Sequence, residues 1–351
     1  MIETAVIFFL VLSILVVIHE LGHFMVARWV GVKVEEFGLG LPPRAWGKKF
    51  RGTLYSLNWL PIGGFVKLAG EDSDEIKNQK IKNKNTQQFF WARSKKERAA
   101  ILVAGVTMNF LLAVAITTFL LTQGVPEPSG RVHVERVVEG SPAAEADIRA
   151  GDVIIGVSTP KELIDATHAQ AGTSMPLTLL RDGVSMDVVV TPRTNPPAGQ
   201  GPLGVAISDL ETKVYPWTHA PFVALRINLE RGWEMLSSIG MLLWRIVTFQ
   251  PISADIAGPV GIAQVTGQAA RYGFTALLEF MSILSLNLAV LNILPIPALD
   301  GGRLAFVFME KFLGRRVRPA FEQTAHQWGM IVLIGLILLV TINDILRIFR
   351  G

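Results

Sequence analysis

The hydrophobic positions of this chain are gathered into blocks. Runs at about 5–30, 99–121, 276–294 and 329–342 are almost wholly apolar. Apolar runs able to cross a hydrocarbon core of about 30 Å read as transmembrane helices, so the pattern predicts four. Polar residues mark each of them. His19, Glu20 and His23 interrupt the first, and Arg93, Lys95, Lys96 and Arg98 stand just before the second. The third breaks at Pro295-Ile296-Pro297 and ends in Asp300-Gly301-Gly302. A short helix over 303–313 then leads to Arg315, Arg316 and Arg318 ahead of the fourth.

The segments between the runs differ from one another. Residues 35–70 are punctuated by Gly38, Gly40, Pro42, Pro43, Gly47, Gly52, Pro61, Gly63 and Gly64, with short apolar stretches between. That is the pattern of hairpins of short strands. Residues 71–85 are polar and read as a flexible link, and 89–98 as an amphipathic interfacial helix. Residues 126–210 have ordinary polarity, with strand patterns at 131–138, 177–180 and 186–190, a helical piece at 143–146 and a Pro/Gly-rich loop at 195–204. A mixed helix over 217–249 is expected to lie partly along the membrane surface, followed by a Gly/Pro-punctuated connector over 251–267. The fold class that results is a polytopic α-helical membrane protein with four transmembrane helices, a β-hairpin region and one inserted extramembrane domain. Its predicted divisions are 1–125, 126–212, 213–270 and 271–351.

Composition agrees with this and narrows the chemistry. Half of the 351 residues are hydrophobic and none is cysteine. Disulfides and thiolate metal sites are thereby excluded, so a metal must be held by His, carboxylate or amide oxygen. The net charge is only +4, and its basic residues cluster beside apolar runs, which suits a bilayer rather than a nucleic acid. The first run lacks a basic n-region and a cleavage site and reads as a retained helix. Basic clusters flag the cytoplasmic side. They fall after the first run, before the second and between the third and fourth. The expected topology has the N-terminus outside and the insert outside, with Arg347 and Arg350 weakly opposed.

His19-Glu20-Leu21-Gly22-His23 is a His-Glu-x-x-His motif. Four-residue spacing on a helix puts both imidazoles on one face, where two neutral rings can hold one Zn²⁺ and the adjacent Glu reaches its water. Ionisable residues at membrane depth cost about 3 kcal/mol each on insertion scales and point to function. Zinc needs a third protein ligand, and the candidate is Asp300, in the string Asn292-x-x-Pro295-x₄-Asp300-Gly301. The prolines free carbonyls that are expected only where they line a cavity. Asn287 and Asn292 read either as interhelical hydrogen bonders or as amides that hold an extended substrate backbone or an oxyanion. Asn109, four after Gly105, reads as close helix packing. His133, His168, His219 and His326 lack metal spacing and read as surface or capping residues.

These motifs strongly resemble the site-2 protease family of intramembrane zinc metalloproteases, and most closely its bacterial branch that releases anti-sigma factors. The resemblance rests on the His19–His23 motif, the string from Asn292 to Gly301, and Gly258-Pro259-Val260-Gly261-Ile262. Residues 140–144 and 149–154 resemble a PDZ domain. The resemblance implies His19, His23 and Asp300 as zinc ligands, Glu20 as catalytic base, and Asn287 and Asn292 as substrate contacts. It implies that 38–68 forms a membrane-associated β-structure, a β-hairpin region whose exposed strand edge binds an unwound substrate, and a bacterial cytoplasmic-membrane location with the active site towards the cytoplasmic side. Substrates would be single-pass membrane proteins, anti-sigma-factor-like or signal-peptide remnants, trimmed first outside the bilayer. Some members carry two tandem PDZ domains, whereas this insert has room for one. Two other classes compete. A non-catalytic PDZ-bearing scaffold would be favoured by loss of Glu20 or Asp300, and both are present. A metal transporter would need further membrane acids, for which Glu279 and Asp344 are the candidates.

Overall fold

The computed structural model describes residues 2–71, 86–248, 250, 258–315, 317 and 319–350. They form two compact units, Met1–Leu120 with Trp217–Gly351, and Leu121–Pro216. In chain order the first unit holds α1 (Ile2–Trp29), β1 (Val34–Phe50), β2 (Thr53–Leu68) and most of α2 (Lys95–Gln123). The second holds β3 (Val125–Val137), α3 (Pro142–Glu145), β4 (Val153–Ile155), α4 (Pro160–Ala169), β5 (Met175–Arg181), β6 (Val184–Val190) and β7 (Val205–Lys213). The chain returns to the first unit with α5 (Ala220–Val247), α6 (Pro259–Tyr272), α7 (Phe274–Ile293), α8 (Asp300–Leu313) and α9 (Pro319–Arg350).

Among the described residues, four helices, α1, α2, α7 and the Phe321–Arg347 part of α9, are long and apolar enough to cross a membrane. Lipid tails are as apolar as leucine, so helices in a bilayer associate through close packing and polar contacts instead of through hydrophobic exclusion. The seam of α2, α7 and α5 shows this. Ser285 Oγ donates to the Asn109 carbonyl at 2.8 Å and Ser282 Oγ to the Ala113 carbonyl at 3.1 Å. Buried Asn228 of α5 donates to Thr117 Oγ1 at 3.0 Å. Below this seam, Ala27, Val34, Leu68, Phe90, Ile101, Leu102, Leu304 and Val307 form an apolar cluster. The buried Arg98–Glu310 ion pair, at 2.7 Å, ties α2 to α8 beside it.

The long strands β1 and β2 each bend, β1 near 40–43 and β2 near 60–63. Residues Glu36 to Leu39 thereby pair on both sides, with Leu54 to Leu57 and with Gly64 to Lys67. Leu57 and Ser56 pair in turn with Trp46 and Gly47. The sheet therefore runs 64–68, 34–39, 54–57, 46–50, with 64–68 and 46–50 at its two edges. Phe24 of α1 packs on its face, 5.4 Å from Phe37 and 6.1 Å from Tyr55 between ring centroids.

The second unit is a five-stranded sheet in the order β6-β5-β4-β3-β7, antiparallel throughout. Inward residues of alternating strands, among them Val132, Ile154, Leu177, Leu179 and Val190, join Ala143 of α3 and Leu163 of α4 in one core. Ser141 and Thr159 cap the two helices, each accepting an N–H three residues on, with proline at the first helical position. Asp152 is buried and takes N–H bonds from Arg149 (2.8 Å) and from both Nε and Nη2 of Arg181 (2.7 Å each).

Three local expectations need correction. Residues 89–98 are not one amphipathic helix: Phe90–Ala92 is a single 3₁₀ turn and α2 starts at Lys95. Ser94 and Glu97 cap each other's backbone N–H, Glu97 Oε2 accepting at 2.9 Å and Ser94 Oγ at 3.3 Å, and such a box restarts the helix. The expected connector becomes helix from Pro259, because Asp344 of α9 accepts the Gly258 and Gly261 N–H groups at 3.2 and 2.8 Å. The last apolar run extends in both directions into a helix of 32 residues. Residues 72–85 of the link expected over 71–85, the first part of the connector (251–257) and the cationic Arg316 and Arg318 lie outside the described residues.

Candidate metal centre

A helix running through residues 19–23 makes His19 and His23 neighbours one turn apart, both buried. The His23 Nδ1–H donates to the Ile101 carbonyl of α2 at 2.8 Å. That bond fixes the tautomer and leaves a lone pair on Nε2. His23 Nε2 faces His19 Nε2 at 3.2 Å, and Asp300 Oδ2 lies 3.0 Å from His19 Nε2 and 3.2 Å from His23 Nε2.

Three electron-pair donors thus converge on one point. A lone pair and a carboxylate oxygen at such range repel unless a proton or a cation lies between them. Tetrahedral zinc with bonds of about 2.0–2.1 Å separates its ligand atoms by about 3.3 Å, close to the spacing here. The donor set, two imidazoles and one carboxylate, is one that catalytic zinc sites use. The residues present fit the ion.

Asp300 owes its position to the turn that precedes it. α7 ends at Ile293, Pro295 and Pro297 prevent its continuation, and α8 starts at Asp300. Its first turn folds back against the end of α7: a Cβ on Gly301 would stand 2.2 Å from the Leu294 carbonyl oxygen and 2.3 Å from that of Ile293. Glycine is required there by contact. The same holds under the imidazoles, where a Cβ on Gly105 would lie 2.4 Å from His23 Nε2 and 2.7 Å from His19 Cε1. Asn109, one turn further on, is fully buried in the packed seam, as its spacing from Gly105 suggested.

These groups open on a cavity of about 260 Å³. Its wall includes Glu20, the edge residues Phe65, Val66 and Leu68 of β2, the turn residues Ala298 and Leu299, Arg303 with its ion-pair partner Glu71, and His326. Glu20 packs beside β2 at Gly64. The cavity thus joins a three-donor cluster, a carboxylate and a sheet edge. Asn287 and Asn292 are half-buried on α7 and are not among the residues lining this cavity. His326 takes the expected capping role, accepting the Ala298 N–H at 2.9 Å, and it also lines the cavity. No motif spacing could have shown this, because His326 and the His19–His23 pair meet only through folding. His133 instead pairs with Ser129 Oγ at 3.0 Å in the second unit.

Comparison with known proteins matches residues 7–336 to peptidase family M50. A protein of Clostridium acetobutylicum named as an inferred zinc metalloprotease is 30% identical over 346 residues, covering 97% of this chain and 96% of its own. A protein of Clostridium perfringens with a similar name is 32% identical over 344 residues, covering 96% and 97%. Zinc metalloprotease RasP of Oceanobacillus iheyensis is 28% identical over 425 residues, covering 99% of both.

Proposed function

Because the chain belongs to peptidase family M50, the site-2 protease family, and is a multi-pass membrane zinc metalloprotease, we propose that His19, His23 and Asp300 hold its zinc and that Glu20 is its general base. The observation that carries this is the convergence of three donor atoms within 3.2 Å of one another, beside a carboxylate in one cavity. Bound there, zinc supplies Lewis acidity, acidifying water and polarising a carbonyl. Glu20 takes the proton of the attacking water and returns it to the leaving amine. The Ile101 carbonyl keeps His23 in the required tautomer, and the turn at Gly301 keeps Asp300 in place.

A helical peptide bond is shielded by its own hydrogen bonds, so a membrane substrate must be extended before water can attack it. The 64–68 edge lines the cavity, and an extended segment added to that edge would gain main-chain hydrogen bonds beside Glu20. Asn287 and Asn292, just ahead of the Pro295 turn, serve in this reading as amide contacts to the substrate before it reaches the cavity. The insert is a single PDZ-like domain, as supported by its Ser141-capped helix and antiparallel sheet, and it limits or recruits substrates outside the bilayer. The substrates are single-pass membrane proteins, anti-sigma-factor-like proteins or signal-peptide remnants, cleaved in the bacterial cytoplasmic membrane towards its cytoplasmic side. A transport path through Glu279 and Asp344 has no support: Asp344 is spent on the α6 N-terminus and Glu279 is exposed.

The test is zinc stoichiometry and cleavage of a fluorescent single-pass substrate by purified protein in detergent, wild type beside Glu20→Gln. One zinc in both, with chelator-sensitive cleavage in wild type alone, is the expected result. Cleavage by Glu20→Gln, or well-folded protein without zinc, removes the reading.

A further inference from the structure

His326 has a chemical capacity that the reading above does not use. Its Nδ1 accepts the Ala298 N–H at 2.9 Å, so the ring proton of the neutral imidazole resides on Nε2. That Nε2 is out of solvent and has no hydrogen-bond partner among the described residues. A buried donor left without an acceptor costs about 1–3 kcal/mol, so a fold that keeps one invites the question of what it awaits. His326 lines the same cavity as His19, Glu20, His23 and Asp300.

Its orientation is held from two sides. α9 packs against the turn before Asp300, where a Cβ on Gly329 would stand 2.6 Å from the Pro297 carbonyl oxygen. The Phe306 ring lies 5.8 Å from the imidazole centroid. Ala298 itself adopts φ 81°, unusual for a residue with a side chain, and this turns its N–H to the imidazole. The ring is therefore held in place, and entry of a substrate must uncover its Nε2 before the N–H can stabilise charge developing in a transition state.

We propose that the Nε2–H of His326 donates to the oxygen of the scissile carbonyl, and more strongly as that oxygen becomes an oxyanion. This rests on the metalloprotease reading of the site. It makes His326 a catalytic residue that touches the reacting atoms, supplied by the last membrane helix. In the step, water adds to the carbonyl carbon, its proton passes to Glu20, and the carbonyl π pair moves onto the oxygen that His326 faces. When the C–N bond breaks, that pair returns and the proton leaves with the amine.

Asparagine can offer an acceptor near the Nδ1 position but no donor near Nε2, so His326→Asn separates the chemistry from support of the Ala298 turn. The expected result is full zinc content and unchanged KM, with kcat lowered about 10²–10³-fold, the loss seen when one oxyanion donor is removed. A phosphinic peptide, whose tetrahedral oxygens mimic the oxyanion, should bind about 10²-fold more weakly. Wild-type kcat in His326→Asn overturns the proposal. So does zinc lost in proportion to activity, which would make His326 a brace for Asp300. A readout without substitution covers a variant that fails to fold. In wild-type protein labelled with ¹⁵N-histidine, the His326 Nε2–H resonance should move downfield when the phosphinic peptide binds, and an unmoved resonance refutes the contact. Glu20→Gln in parallel distinguishes the failures. If it still cleaves, the site assignment falls. If it is inactive while His326→Asn is active, only the role of His326 falls.

Discussion

The two units solve the burial problem in opposite ways. In the second, Val132 and Leu179 are wholly buried and Ile154 nearly so, and the sheet turns its polar residues outward. In the first, Ile331, Val332, Leu338 and Leu339 of α9 are more than half exposed, while His19, His23, Asn109, Ser282 and Ser285 are buried. Water organises the second unit by excluding apolar surface. A bilayer gives no such drive, so the first unit is organised by close contacts and hydrogen bonds between helices. An apolar core is consequently the source of stability in one unit, whereas in the other the buried polar groups tie helices together or form the site.

The largest test of that contrast is at Gly105. A leucine there must occupy the space of the two imidazoles, so Gly105→Leu should lose zinc and all measurable cleavage, as read by metal analysis of purified protein. Zinc retained at wild-type level would mean that the imidazoles can move aside, and the preorganised cluster would be the wrong picture. Next, Leu179→Ala should destabilise the second unit by about 2–5 kcal/mol and leave zinc content unchanged, which thermal unfolding and metal analysis on one sample can check.

A third effect is pH-dependent. The Arg181 guanidinium, opposed by burial and aided by the Arg149 N–H, holds the Asp152 carboxyl below its ordinary range. An unfolded carboxyl of about 3.9 then binds a proton before the folded one does. The contribution of Asp152 is thus complete above about pH 5 and is lost as the pH falls through the lower folded value. Unfolding of the second unit should show a fall in Tm below that pH, and Asp152→Asn should lower Tm at neutral pH while flattening the acid slope. A parallel slope in the variant would assign the acid sensitivity elsewhere. The smallest effect belongs to the helix seam: Ser285→Ala removes one interhelical bond, worth about 0.6 kcal/mol, and should leave kcat within twofold. A tenfold loss would show that the α2–α7 seam positions Asp300 more critically than its single bond implies.

Much of this was legible in the chain because it is local. Apolar runs, the four-residue spacing of His19 and His23, and the Pro295 break are patterns a backbone must obey wherever it lies, and they anticipated the four helices and the end of the third. Shorter elements escaped for an equally physical reason. Nothing in 258–267 announces a helix until Asp344, 83 residues beyond Gly261, supplies the acceptor for its first N–H groups. The polar segment that became α4 is held by burial of Leu163 and Thr167. The bends that put residues 64–68 beside 34–39 depend on pairing that periodicity does not specify.

The sequence alone determined which residues could bind a metal, since helical spacing and the absence of cysteine leave few donors. It could not decide that Asp300 would reach them, because it stands 277 positions beyond His23 and only the packing of α7 and α8 on α2 closes that gap. Nor could it decide that His326 would enter the cavity, or that Gly105 would lie beneath the imidazoles. Those are facts about surfaces meeting, and in a membrane they are fixed by the close fit of helix against helix, which no single helix carries in its own pattern.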